Sequence, residues 1–147
     1  MDNKVGKRQP HRTRHLFFLN PYSDVAFTKC PKCEGKTRLR KLPLVIHIEP
    51  DQMLVLNKTC RYCPGCDLVI ARQSELEPLM AAAFAERRPE VVGNEYLVVG
   101  TLDRSNWRAQ MWEPSEARAP SDMLDRAWIF KDQLHFKMTG GWVRASE

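Results

Sequence analysis

The sequence contains nothing close to the roughly 18 consecutive apolar residues that a membrane-spanning helix needs, so no membrane partner is expected. No secretory leader is expected either. Five basic residues (Lys4, Lys7, Arg8, Arg12, Arg14) precede Leu16-Phe17-Phe18-Leu19, but that apolar stretch stops at Asn20-Pro21, below the about 7 to 15 residues of a leader core. The expected location is the cytoplasm. No G-x-S-x-G, P-loop or H-E-x-x-H pattern is present, and no internal repeat. Asp103, Arg104 and Ser105, at a glycine-bearing strand end, therefore read as a turn. This leaves enzymatic activity open while favouring a binding role. Aromatic residues are scarce around the cysteines, where Tyr62 stands alone, and this argues against base stacking along a single strand.

Positive charge is unevenly spread. The chain of 147 residues carries a net charge of +5. Residues 1 to 15 hold five basic and one acidic residue, residues 29 to 41 hold six basic and one acidic, and residues 42 to 147 are net acidic. The first of these stretches has almost no apolar content and reads as a disordered basic tail. Residues 16 to 147 then form a single domain, with a metal-bearing part at 28–72 and a helix and further strands at 73–147.

Within the first part, alternation puts Lys36, Arg38 and Arg40 on one strand face. Pro43 ends that strand or marks an edge. Leu44 to Ile48 reads as a second strand closed by a turn at Pro50-Asp51, and Met53 to Leu56 opens a third that runs directly into Cys60. Leu68-Val69-Ile70 follows as a buried strand. Leu76, Leu79, Met80, Ala83, Phe84 and Arg87 then fall at helical spacing, predicting a helix near 75–88. It opens either at a Ser74 and Glu77 capping box or with Pro78 as its first residue. Further on, Glu95 to Thr101 and Leu134 to Met138 read as strands, with a short helix over Ser121 to Ala127. Trp107, Trp112, Trp128 and Trp142 read as core or groove residues.

The cysteines carry the strongest signal. Cys30-Pro31-Lys32-Cys33 is one C-x-x-C knuckle, and Cys60, Cys63 and Cys66 supply a second. Such spacing in a reducing compartment points to metal rather than disulfides. Two knuckles give the four thiolates of a tetrahedral zinc site. Cys63-Pro64-Gly65-Cys66 repeats the Cys-Pro-x-Cys form and is preferred, with small Gly65 expected to let amides approach the sulfurs. Cys60 with Cys63 is the alternate, supported by Gly65, which would then follow its second cysteine at the distance Gly35 keeps from Cys33. One structural Zn2+ is expected, and its loss should unfold at least residues 30 to 70.

Residues 30 to about 70 thus resemble a zinc ribbon, and the remainder resembles uncharacterised bacterial proteins. The resemblance implies a structural metal and an α+β fold: a small antiparallel ribbon-like sheet with one main helix and additional C-terminal strands. Because ribbons share no single function, three readings stand. One is a non-catalytic nucleic-acid- or ribosome-associated protein that uses Lys36, Arg38 and Arg40. Another is a protein-interaction or assembly module working through the tryptophan-rich half. The third is a rubredoxin-like iron carrier, against which Glu34 and Asp67 stand where rubredoxin-like loops usually carry glycine.

Overall fold

In the computed structural model, residues 12–103, 127–134 and 142 are described. Seven strands make one sheet: β1 (Leu16–Asn20), β2 (Arg38–Ile48), β3 (Gln52–Cys63), β4 (Leu68–Arg72), β5 (Tyr96–Thr101), β6 (Trp128–Ile129) and β7 (Asp132–Leu134). Helix α1 (Gln73–Phe84) follows β4, and a 3-10 turn spans Pro89–Val91. The strand order is β6-β5-β2-β3-β4-β1-β7. β1 runs parallel to both β4 and β7, and every other pair is antiparallel. The sheet is mixed and curls into a half-barrel.

This overturns the expected α+β fold with a small antiparallel ribbon, one main helix and added C-terminal strands. The described residues are mostly sheet, and β3, the strand that carries Cys60 and Cys63, is an inner member of it. Two facts account for the difference, one local and one not. Pro43 does not end a strand, because an extended residue aims its N and its C=O at the same edge. The Pro43 carbonyl accepts the Leu102 N–H (3.0 Å), so the missing donor lies where the β5 neighbour runs out, and the β3 ladder is untouched. The remaining cause is non-local: β1 joins β4 in parallel from Leu16 opposite Leu68 to Asn20 opposite Arg72, a pairing no nearby residue encodes.

Alternation along the strands sorts the core. On one face Phe17, Leu42, Leu44, Ile46, Ile48, Tyr62, Val69, Ala71, Tyr96 and Val98 meet Leu76, Met80, Ala81 and Phe84 of α1. The opposite face carries two smaller clusters, one around Phe18, Cys30, Cys63, Leu68 and Ile70, the other around Val45, Leu102 and Ala127.

α1 begins two residues earlier than expected and stops at Phe84. Arg72 is the last residue of β4 and also the helix N-cap, without a side-chain capping bond, so Ser74 already lies inside the helix. The Glu77 carboxylate is engaged elsewhere, accepting from Tyr96 Oη–H and from Gln73 Nε2–H (2.7 Å each). Pro78 is interior, and the Leu79 and Ala83 expected in the apolar stripe are exposed, Ala81 being buried in their stead. The expected turn residues Arg104 and Ser105, the short helix up to residue 126, the strand beyond Leu134, Trp107 and Trp112 lie outside the described residues.

Candidate metal centre

β3 delivers Cys63 to the face away from the helix, and the tight turn to β4 brings Cys66 back beside it. A loop between β1 and β2 crosses that face and supplies Cys30 and Cys33. The four sulfurs all lie within 4.8 Å of one another. Cys33 to Cys63 is 3.5 Å and Cys30 to Cys66 is 3.9 Å. Four thiolates bound at about 2.3 Å around a tetrahedral ion would stand about 3.8 Å apart, so a small contraction of the widest pairs completes such a shell. The residues present fit a metal ion.

Each knuckle is set by its backbone. The Glu34 N–H donates to the Cys30 carbonyl (2.8 Å) and the Cys30 N–H to the Gly35 carbonyl (2.7 Å), closing the first loop. Lys32 N–H donates to Cys30 Sγ (3.3 Å) and Gly35 N–H to Cys33 Sγ (3.4 Å). Glu34 and Asp67 take φ of 66° and 59°, the left-handed region that favours glycine. Both knuckles therefore have the backbone that a glycine would ease, and the lack of glycine there does not separate zinc from iron. Of the two knuckle glycines, the one under steric demand is Gly35, whose added Cβ would sit 3.2 Å from Cys33 Sγ. At Gly65 the corresponding contacts, 3.8 and 3.9 Å, are ordinary, so the amide-access role expected of Gly65 is not sterically required.

The crowded sulfurs divide in acidity. The Gly35 N–H holds the Cys33 thiol down to about 7, while the Cys33 sulfur pushes the Cys66 thiol up to about 12 and burial raises Cys63. Four neighbouring thiols cannot all ionise by themselves, and a divalent cation removes that conflict.

Cys60 is not in this group. It lies three residues before Cys63 on the same strand, and an odd separation turns side chains to opposite faces. Cys60 enters the helix-side core at 2 % exposure, its Sγ–H donates to the Lys58 carbonyl (3.4 Å), and burial pushes the thiol up to about 12.

On that helix-side face, at the metal end, lies a cluster the sequence does not announce. His15 Nδ1–H donates to Asp67 Oδ1 (2.6 Å), Tyr62 Oη–H donates to the same oxygen (2.7 Å), and Lys131 Nζ stands 3.8 Å from Asp67 Oδ2. Burial opposes the Asp67 charge, but the Tyr62 and His15 bonds outweigh it and hold the carboxyl below its ordinary value. His15 belongs by composition to the basic tail; its backbone and that of Arg12 and Arg14 bond to Ile129 and Lys131, and its ring is 3 % exposed. The four groups are scattered from His15 to Lys131 and leave no local pattern to read.

Of the basic trio, Arg38 and Arg40 lie on β2 with their guanidinium groups 5.8 and 4.7 Å from the Tyr62 ring centre, and Lys36 sits before the strand, bridged to Lys29. None of the three has an ion pair among the described residues. Two of the tryptophans proposed for assembly are engaged internally: Trp142 is 2 % exposed in the core, and Arg12 covers the Trp128 ring at 4.1 Å.

The four-cysteine cluster is compatible with a zinc-ribbon-like module. Compared with models of protein families, with curated proteins and with solved structures, the chain matches none.

Proposed function

We propose that the chain is a zinc protein whose four-thiolate centre (Cys30, Cys33, Cys63, Cys66) fastens a basic loop and strand end to the sheet, and that this stretch binds the phosphate backbone of a nucleic acid, free or ribosomal. The observation that carries the reading is the convergence of four sulfurs from two knuckles within 4.8 Å. Four cysteine thiolates are a common structural zinc set, and they leave no open position for water or substrate. The basic surroundings, with Lys29, Lys32 and Lys36 exposed, offset the negative charge of such a centre.

The nucleic-acid part rests on the exposed cations Lys29, Lys32, Lys36, Arg38 and Lys41 on residues 29 to 41, where Glu34 is the one acid. Tyr62 is 8 % exposed and faced by two guanidinium groups, so it offers no platform for a base. The expected contact is with phosphate and carries no sequence preference.

Elemental analysis of the purified chain is expected to give one zinc per chain and a colourless solution. A red, iron-containing protein would support the rubredoxin-like alternative and remove the zinc assignment. Cys60→Ala should keep the metal and Cys63→Ser should lose it. Affinity for a generic RNA or DNA should fall steeply with salt, and the Lys36→Glu, Arg38→Glu, Arg40→Glu triple variant should lower both affinity and salt slope. Absent or salt-independent binding would refute the nucleic-acid reading and leave the metal reading standing.

A further inference from the structure

A cavity of about 260 Å³ opens on the sheet where β3 and β4 part. Their ladder runs from Cys63 opposite Leu68 to Arg61 opposite Ile70 and goes no further, although β4 continues to Arg72. Lys58 fills part of the gap: its Nζ donates to Glu75 Oε1 and to the Thr59 carbonyl, each at 2.8 Å. The walls are Leu39, Arg61 and Ile70, register neighbours in one row across three strands, with Asn20 and Arg72 beside them and Ala26 from the crossing loop.

The lining holds three cations, Lys58, Arg61 and Arg72, against one carboxylate, Glu75. Glu75 is shared: Oε1 takes Lys58, and Oε2 lies 3.4 Å from Arg72 Nη1. Arg72 also donates to the Val25 carbonyl (3.2 Å), which Asn20 Nδ2–H holds as well (2.7 Å). The Arg61 guanidinium has no hydrogen bond or ion pair among the described residues. A concave wall of net charge +2 with one uncommitted guanidinium fork is built for an anion with two negative charges. Leu39, 64 % exposed, and Ile70 give the same cavity an apolar side.

We propose that this cavity binds a small molecule bearing a doubly charged oxyanion, a phosphate monoester or a dicarboxylate, beside a short apolar group, with Arg61 as its principal contact. The volume lies just under the ~300–1,000 Å³ of ordinary small-molecule sites, so the occupant is small. A backbone phosphodiester carries one charge per phosphate and matches the wall less well; the 5′-phosphate end of a strand matches it fully. The site does not depend on Arg38 and Arg40 of the nucleic-acid reading, because strand alternation turns Leu39 and Arg61 away from their face; Lys41, opposite Thr59, is the one β2 cation of that reading on the cavity's side.

Calorimetric titration of the full chain with inorganic phosphate, glycerol phosphate and succinate, against potassium chloride at matched ionic strength, tests the assignment. Saturable binding of at least one dianion is expected, weakened about tenfold or more by Arg61→Ala and partly restored by Arg61→Lys. The free variants should melt with the wild type, since Arg61 supports no other group. The Lys36→Glu, Arg38→Glu, Arg40→Glu variant should bind the dianion as the wild type does, which separates this site from the phosphate-backbone surface. A 5′-phosphorylated oligonucleotide that binds through Arg61 when its 5′-hydroxyl counterpart does not would place the ligand at a strand end; a response to the free anions alone would make it a metabolite. No saturation by any dianion up to about 10 mM, or binding indifferent to Arg61→Ala, would overturn the proposal.

Discussion

His15 and Asp67 face each other across 52 positions of chain, both with left-handed backbone, φ 72° and 59°. Their bond ties the start of β1 to the residue that follows the last cysteine, and the Leu16 N–H donates to the Asp67 carbonyl (2.8 Å) in the same junction. Burial lowers the His15 pKa from its usual 6.5 despite the Asp67 carboxylate, so the folded chain favours the neutral ring. The sign follows directly: this contribution is complete above about 6.5 and is lost as pH falls below it through the depressed folded value. Asn tolerates the left-handed backbone and can donate to Asp67, so His15→Asn removes the titration with little strain. Wild type should melt above His15→Asn at pH 7.5, and the gap should narrow toward pH 5.5. Metal loss on acidification affects both chains alike and cancels in the difference. A gap that widened on acidification would contradict the assignment. Legibility at this scale depended on chain separation. The cysteine spacing showed which residue type gathers. The repeated Cys-Pro-x-Cys form favoured Cys66 over Cys60, and the structure supplies the physical reason: β3 runs unbroken through Cys60 to Cys63, so those two side chains point to opposite faces.

Single elements with strong internal patterns were readable, and their ends were not. The helix was visible from Leu76, Met80 and Phe84, but its start was set by β4 running into it without a linker, which displaced the capping residues. The hairpin of β2 and β3 was readable as strand-forming sequence, although Pro43 divided it on paper and its placement at an edge does not divide it in space. α1 keeps a proline at its sixth residue. Pro78 has no N–H for the Ser74 carbonyl, and Ser74 is exposed, so water can satisfy that oxygen. Proline in a helix interior costs about 3 kcal/mol relative to alanine. Part of this is offset because proline also restricts the unfolded chain, by roughly 0.4–1 kcal/mol. Pro78→Ala should therefore stabilise the protein by about 2 kcal/mol, seen as a higher urea midpoint at unchanged m value. A lower midpoint would show that the backbone proline imposes is needed where Glu77 meets Tyr96.

At the scale of the whole molecule the metal centre and the main core are separate bodies of packing. The helix-side core contains none of the four converging cysteines, while Cys30 and Cys63 belong to the small cluster on the other face with Phe18, Leu68 and Ile70. β2 and β3 are held along their length by each other and, through Leu44 to Ile48, by β5. The sequence alone led to the expectation that removing the ion would unfold residues 30 to 70, because a ribbon of three short strands has little else to hold it. The observed sheet changes the expected outcome. Chelation should release the loop from residue 21 to 37 and the turn at residues 64 to 67, where hydrogen exchange would rise. The segments Leu42 to Ile48 and Leu76 to Phe84, buried in the main core, should keep their protection. Exchange measured by mass spectrometry before and after chelation distinguishes the two outcomes. Joint loss of protection in β2, β3 and α1 would show that the ion supports the whole sheet. Selective loss in the loop would show that the sheet folds on its own hydrophobic face and uses the metal to hold one basic segment in place.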